Sequence, residues 1–135
     1  MPVDPVIGVF IVVKGLFSTP KFVSLPLPAT VQQVMDLTPG LTYTTAPSRI
    51  VPSRTIVSSI SYQGRTIANK LGPKIGQPGE QVLQYLVNGA YPPGPRPTFQ
   101  QTQVNWGDVI TWFLYTVPDH QVPREERVSA SPVAS

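Results

Sequence analysis

The sequence contains no cysteine and a single histidine, His120. A chain without cysteine can form no disulfide, no thiol nucleophile and no cysteine-ligated metal site. Zinc sites need three or four protein ligands, most of them histidine or cysteine, so a single histidine argues against zinc as well. We therefore predict a protein with no metal and no cofactor.

Charged residues are also scarce. They make up 13% of the 135 residues, about half of the ~25% that is usual in soluble domains. Ten Lys and Arg residues against seven Asp and Glu residues give a net charge of +3, but the basic residues form no run. Nucleic-acid binding needs a focused basic patch that displaces several counterions. We therefore do not expect a nucleic-acid partner.

A hydrophobic run that could span a membrane is missing near the N-terminus. The apolar run Val6–Val13 has eight residues, whereas a transmembrane helix needs about 20. Asp4 precedes the run and Lys14 follows it, which is the reverse of the charge order in a secretory signal. We predict a buried strand here, no membrane span, and a location in the cytoplasm or a virion. Secretion after processing stays open as an alternative.

The residues that perform catalysis are not arranged as they are in enzymes. His120 lies in a C-terminal stretch without an apolar pattern, whereas a general base must be held rigidly near its target. The adjacent carboxylates Glu125 and Glu126 fall in the same stretch. Neither a G-x-S-x-G elbow nor a phosphate loop ending in G-K-[ST] occurs. We predict that the protein is not an enzyme.

Proline is present in excess, at 17 of 135 residues, whereas about 5% is usual. Residues 91–98 contain four of these prolines, which favours an extended polyproline II conformation. Residues 118–135 lose the apolar pattern and predict an extended tail. We therefore predict a single β-rich domain at residues 1–117 and a C-terminal tail at residues 118–135.

The apolar pattern predicts several strands and one short helix. Val6–Val13 is apolar throughout, as in a central strand that is covered on both faces. Thr30 is a good helix N-cap with Gln33 three residues later, and Pro39-Gly40 stops the helix. Further strands are predicted at 21–27, on a sheet edge because of its prolines, and at 55–62, 80–88 and 109–117. We expect a turn at 16–20, a loop with some extended structure at 38–54 and a loop at 72–79.

The faces of two of these strands follow from strict alternation. Within residues 55–62, alternation places Ile60 on one face and Val57 on the other. Within residues 109–117, it places Ile110 and Trp112 on the same face. Bulky residues on both faces predict that the last strand is central, like the first.

Two tight turns are predicted on either side of the proline-rich loop. Asn88 and Gly89 both tolerate positive φ, which is typical of a two-residue hairpin turn. Gly107 and Asp108 turn the chain back into the last strand, and the Asp108 carboxylate is expected to accept backbone N–H groups. These four residues are interpreted as structural.

The order of the predicted elements resembles that of the transcobalamin-like β-grasp domains. The resemblance depends on the helix at residues 30–37, the sequence Tyr85-Leu86-Val87-Asn88-Gly89 and the sequence Gly107-Asp108-Val109-Ile110-Thr111-Trp112. It spans about residues 6–117. The resemblance implies an α+β fold in which a mixed sheet packs on one short helix. It also implies binding of a small ligand.

A set of aromatic residues and one arginine is the best candidate for contact with a partner or ligand. Its members surround the proline-rich loop and the last strand: Tyr91, Arg96, Phe99, Trp106 and Trp112. Aromatic and Arg side chains next to prolines are typical anchors of protein interfaces. We expect a non-enzymatic structural or accessory subunit that binds other protein subunits, including copies of itself, in a larger assembly. The alternative is a small-ligand binding module.

Overall fold

The computed structural model describes residues 6–74, 76–92 and 97–118. Within these residues the chain forms seven strands and one helix: β1 (Val6–Val13), β2 (Phe17–Pro26), α1 (Val31–Leu37), β3 (Leu41–Pro47), β4 (Thr55–Tyr62), β5 (Arg65–Ala68), β6 (Gln81–Val87) and β7 (Val109–Thr116). This β-rich content with a single helix is compatible with the predicted α+β class. Residues 93–96 of the proline-rich loop and residues 119–135 of the predicted tail lie outside the described residues.

The larger sheet has four strands in the order β2-β1-β7-β6. β1 and β7 run parallel, with Phe10 beside Val109 and Val13 beside Trp112. β2 and β6 flank this pair and run antiparallel to their neighbours. The prediction that the first and last strands are central is confirmed.

Helix α1 begins with the predicted capping box. The N–H of Gln33 donates to the Thr30 hydroxyl at 3.4 Å, and the Gln33 side-chain oxygen accepts the Thr30 N–H at 2.8 Å. The helix buries Val31, Val34 and Met35 and packs against β1, β2 and β3. Because a helix of seven residues is too short to be stable alone, this packing stabilises it.

The core lies against one face of the four-stranded sheet, which we call the inner face. Val9, Ile11 and Val13 of β1 are completely buried there, as is Ile110 of β7, and Trp112 of β7 is nearly so. The same cluster continues through α1 to the buried residues of β3 and β4. We call the opposite face of the sheet the outer face.

The second sheet has the order β3-β4-β5 and corrects one prediction. Residues 38–54 were expected to form a loop with some extended structure, but Leu41–Pro47 is a regular strand that pairs antiparallel with β4. Most of its side chains are exposed or half-buried, so it shows no apolar period that a sequence pattern could reveal. Its Thr residues favour the strand because they are β-branched.

A bulge in β4 corrects a second prediction. Thr44 pairs with Ser59 and Thr45 pairs with Val57, so Ser58 is an extra residue in the ladder. The extra residue shifts the alternation, and Val57 and Ile60 are both buried. The prediction that they lie on opposite faces is therefore wrong.

The start of β2 corrects a third prediction. Residues 16–20 were expected to form a turn, but the strand already begins at Phe17. The chain reverses earlier, around Gly15, whose φ of 97° suits glycine. The predicted edge position is confirmed, and an edge strand tolerates Pro20 and Pro26 because their missing N–H groups need no ladder partner.

Candidate functional site

The structure separates the aromatic residues that the sequence groups together. Phe99 and Trp112 are buried on the inner face, each with 2% of its surface exposed. Trp106 is 69% exposed and lies beside Gly8 and Phe22. Tyr91 donates its hydroxyl hydrogen to the Gln84 side chain at 2.6 Å. Arg96 lies outside the described residues. The structure therefore contains two candidate surfaces, a cavity and an exposed aromatic patch.

The cavity lies beside β6, the edge strand of the four-stranded sheet, and has a volume of about 310 Å³. Its described lining residues are 48, 50, 51 and 54–57, residues 82–85 of β6, the two ends of the proline-rich loop at 91–92 and 97–99, and Trp112 of β7. Most of its described lining residues are aliphatic or aromatic. Its composition is typical of a small-molecule pocket, in which a few polar groups stand in an apolar wall.

Trp112 forms part of the cavity wall. Its ring lies 5.0 Å from the Tyr85 ring and 6.2 Å from the Phe99 ring, measured between centroids. Its Nε1 atom is buried and has no hydrogen-bond acceptor, and no other buried side-chain N or O of the described residues lacks a partner. Buried polar groups are nearly always paired, so this indole N–H is an exception that needs an explanation.

Tyr85 is another residue of the cavity wall, and its hydroxyl is hydrogen-bonded. It donates to the Pro97 carbonyl at 3.1 Å and also contacts the Thr102 hydroxyl. Burial raises the pKa of Tyr85, while the hydrogen bond with Thr102 and the nearby Arg54 act in the opposite direction. Tyr85 is thus held neutral and in a fixed position. Arg54 is the one charged side chain among the described lining residues.

The aromatic patch consists of Val6, Phe10, Phe22 and Trp106 on the outer face around Gly8. Phe22 is 55% exposed, and its ring packs edge-on against Phe10 at 5.3 Å between centroids. A Cβ atom at Gly8 would lie 2.3 Å from the Phe22 ring and 3.2 Å from the Trp106 ring. Both rings therefore lie directly over the backbone of Gly8. Neither Phe22 nor Val6 has a distinctive sequence signal for an exposed patch, because Phe22 is a single apolar residue in an edge strand and Val6 belongs to the apolar run of β1, which predicts burial.

Hydrogen bonds between β1 and the start of β7 define the direction of the β1 backbone groups. The Gly8 carbonyl accepts the N–H of Gly107 at 2.8 Å, and the Phe10 N–H donates to the Asp108 carbonyl at 2.8 Å. Gly8 and Phe10 thus direct their backbone groups towards β7. Backbone groups alternate in direction along a strand, so Val9 between them bonds to β2.

Among the described residues, no strand pairs with the outer edge of β2. Val9 is opposite Val23, so Val23 bonds to β1, while Phe22 and Ser24 direct their N–H and C=O groups away from the sheet. Pro26 has the same direction as Ser24, and its missing N–H limits the available edge. Phe22 and Ser24 thus each direct one N–H and one C=O away from β1, directly beside the aromatic patch.

The four predicted turn residues form turns in the structure. Asn88 and Gly89 have φ values of 54° and 81°, and Val87 and Ala90 exchange backbone hydrogen bonds across them. Gly107 has a φ of 82°. The Asp108 carboxylate accepts the N–H of Asn105 at 2.8 Å, as expected. These residues shape the sheet end that supports Trp106.

An ion pair between Arg49 and Glu80 holds the predicted loop at 72–79, and no sequence pattern indicates it. Glu80 is nearly fully buried and accepts a hydrogen bond from Arg49 at 2.7 Å. It also accepts the N–H groups of Gly72 at 2.8 Å and Gly76 at 3.2 Å. The hydrogen bond from Arg49 is the main cause of the lowered pKa of Glu80. The partners are 31 residues apart, so no local pattern indicates the pair.

The comparisons with known proteins return no family. No family model matches the chain, and no curated protein matches it. In the part of the chain that the structure describes, no three His, Cys, Asp or Glu side chains group together as metal ligands would. None of the described helical residues forms a helix of the length and apolarity needed to cross a membrane.

Proposed function

We propose that the protein is a non-enzymatic structural or accessory subunit that binds neighbouring protein subunits in a larger assembly. The observation that supports this function best is the exposure of Trp106, at 69%, beside Phe22, at 55%. Large aromatic side chains that share an exposed patch are typical of protein interfaces, where Trp is among the strongest anchors. Burying them against a partner removes apolar surface from water and favours association.

The neighbouring subunit in this proposal is a second copy of the chain, joined through β2. Antiparallel pairing of two β2 strands about a twofold axis at Val23 places Phe22 opposite Ser24 of the other copy. Both residues direct their backbone groups outward, so this register pairs all four N–H groups and all four C=O groups of the two edges. The two sheets then form one continuous sheet, and the two aromatic patches lie side by side.

A proline at Ser24 tests this pairing. Ser24→Pro removes an N–H that faces away from β1, so it leaves the intrachain ladder intact and blocks the edge. Ser24→Ala is the matched control, because it changes the side chain and keeps the N–H. Size-exclusion chromatography with light scattering, over a range of protein concentrations, measures the mass of each variant. We expect dimers for the wild type and for Ser24→Ala, and monomers for Ser24→Pro.

Two results would overturn the proposal of self-pairing. A wild type that is monomeric at every concentration excludes a second copy as the occupant. A Ser24→Pro variant that dimerises as well as Ser24→Ala shows that any dimer uses another surface. Circular dichroism of the three proteins verifies that Ser24→Pro is folded, so a monomer is interpreted as loss of pairing and not as loss of structure.

We further propose that the core is β-grasp-like and related to the transcobalamin-like domains. The strand order β2-β1-β7-β6, with parallel central strands and a helix after the first hairpin, supports a β-grasp-like arrangement. The turns at Asn88-Gly89 and Gly107-Asp108, which meet at one end of β6 and β7, support the likeness to the transcobalamin-like domains. An experimental structure compared with members of that family tests this relationship.

A further inference from the structure

We propose that the cavity beside β6 binds a small carboxylate with an apolar body, and that the negative charge of this ligand pairs with Arg54. The cavity is lined by inner-face residues such as Phe99, whereas the aromatic patch lies on the outer face. The proposal is therefore independent of the pairing through β2.

Arg54 belongs to the cavity wall and ends a closed turn. The Ser48 N–H donates to the Arg54 carbonyl at 2.8 Å, and the Arg54 N–H donates to the Val51 carbonyl at 2.8 Å. The Ser48 hydroxyl accepts the N–H groups of Ile50 and Val51 at 3.1 Å and 3.2 Å. These four hydrogen bonds fix the turn, so the Arg54 side chain extends from a rigid backbone.

The charge of Arg54 acts on this wall. Burial raises the pKa of Tyr85 and the Arg54 charge acts in the opposite direction, so the guanidinium lies near enough to influence the Tyr85 hydroxyl. An Arg side chain stays protonated and has five N–H donors. Arg54 already takes part in an interaction of its own, and five donors are enough to keep it while two of them bind one carboxylate.

The other polar side chains of the wall are compatible with a carboxylate. They are hydroxyl and amide groups, which donate hydrogen bonds: Ser48, Thr55, Gln84, Tyr85, Tyr91 and Thr98. No Asp or Glu is among the described lining residues, so their one charge is positive. A cleft lined by charge of one sign attracts ligands of the opposite sign. The wall therefore favours a negative ligand over a neutral or a positive one.

The apolar part of the wall selects the body of the ligand. The Trp112 ring lies 5.0 Å from the Tyr85 ring and 6.2 Å from the Phe99 ring, and aliphatic residues extend this surface: Ile50, Val51, Ile56, Val57, Val82 and Leu83. Planar aromatic groups pack well against such rings. The N–H of Trp112 is buried and takes no part in this site.

The cavity opens to solvent beside the turn that holds Arg54. Ile50 and Val51 line it there and are 73% and 40% exposed. A carboxylate near this opening keeps part of its hydration, so its desolvation costs less than in a closed core. About 310 Å³ is at the lower end of the roughly 300–1,000 Å³ that is typical of ligand pockets, which suits a body of two fused rings.

Three probes with the same naphthalene body test the role of charge. They are 2-naphthoate, which is negative at pH 7, the neutral 2-naphthamide and the positive 2-naphthylmethylammonium ion. Isothermal titration calorimetry measures their affinities for the full chain. We expect the carboxylate to bind about tenfold more tightly than the amide, because a charge-assisted pair replaces a neutral hydrogen bond. The ammonium ion should bind most weakly.

Substitution of Arg54 tests whether this side chain causes the preference. Arg54→Gln should abolish the difference between carboxylate and amide, whereas Arg54→Lys keeps the charge and should retain part of it. Lys74→Gln is the matched control, because it removes the same charge from an exposed residue that does not line the cavity. The affinity for the amide should stay at the wild-type value in all three variants. Ser24→Pro should change none of these affinities, which separates this site from the β2 edge.

A variant that fills the cavity tests the location. Val51→Phe adds volume at the wall and should weaken binding of the carboxylate and of the amide alike, by about tenfold. Leu37→Phe is the matched control, because Leu37 is exposed and does not line the cavity. Equal wild-type affinities for carboxylate and amide, a difference that persists in Arg54→Gln, affinities that Val51→Phe leaves unchanged, or no saturable binding of any probe would each overturn the proposal.

Discussion

The side chain of Asn88 donates from Nδ2 to the Asp108 carboxylate at 2.9 Å and joins two turns that are 20 residues apart in the sequence. Its Oδ1 atom accepts the N–H of Val109 at 2.8 Å. Asp108 in turn accepts the N–H of Asn105 with its other oxygen. One amide and one carboxylate thus connect the end of β6 to the start of β7, next to the exposed Trp106.

Two substitutions of Asn88 should separate the stability that comes from its side-chain hydrogen bonds from the effect of its positive φ. Asn88→Ala removes both side-chain hydrogen bonds and puts Ala at a φ of 54°, where a side chain is strained, so we expect a loss of about 2 kcal/mol. Asn88→Gly removes the same bonds but tolerates that φ and should lose less, about 1 kcal/mol. Urea denaturation of both variants measures the difference. Equal losses would show that the positive φ contributes nothing.

Gly8 is predicted to set the position of the Phe22 ring. In Gly8→Ala the new methyl group displaces that ring, whose nearest atom lies 2.3 Å from the Cβ position. The loss of the Phe10–Phe22 contact should cost about 1 kcal/mol. In a Phe22→Ala background the Phe22 ring is gone, so the new methyl group no longer collides with it. Gly8→Ala should then be neutral or stabilising, because Gly weakens a strand. A double-mutant cycle by urea denaturation checks this change of sign, and additive effects would contradict it.

Glu80 should make stability depend on acid pH. Its pKa is lowered in the folded protein from an ordinary value of 4.5, mainly by the hydrogen bond from Arg49. A lowered folded pKa gives stability that is present above the unfolded pKa and is lost as pH falls through the folded value. We expect the wild type to lose stability progressively below about pH 5. Glu80→Gln should be less stable than the wild type at pH 7.

Substitution of Arg49, the ion-pair partner of Glu80, is the control for this prediction. At pH 7, Arg49→Met should destabilise the wild type more than it destabilises Glu80→Gln, since only the wild type has the ion pair. Urea midpoints at pH 7, 5 and 3 measure both effects. A gap between wild type and Glu80→Gln that stays constant from pH 7 to 3 would show that the Glu80 charge does not contribute.

The capping box is predicted to stabilise α1 through its hydroxyl. Thr30→Ala removes the acceptor for the N–H of Gln33 and should cost about 1 kcal/mol. Thr30→Ser keeps the hydroxyl and should cost only a few tenths of a kcal/mol. Because Thr30 and Gln33 bond to each other, Gln33→Ala should cost less in the Thr30→Ala variant than in the wild type. Thermal and urea denaturation measure these losses, and equal costs for Ala and Ser would contradict a capping role.

Features that depend on local chemistry are predictable from short stretches of the sequence. The apolar run of β1 predicts a central strand, Thr30 with Gln33 predicts the helix start, and Asn88-Gly89 predicts a tight turn. Each depends on propensities or hydrogen bonds within a few residues, so a short window contains the information.

Features in which distant residues meet depend on the folded chain and are not predictable from a short stretch of sequence. β3 is mostly exposed and exists because β4 pairs with it, and the bulge at Ser58 reverses a face that alternation alone assigns. The separation of Trp112 from Trp106 depends on which side of the sheet each ring occupies, although only a few residues lie between them. Arg49 and Glu80 are 31 residues apart in the sequence and form their ion pair only in the folded chain. Such contacts depend on the path of the whole backbone, because packing overrides the local preference of any one segment.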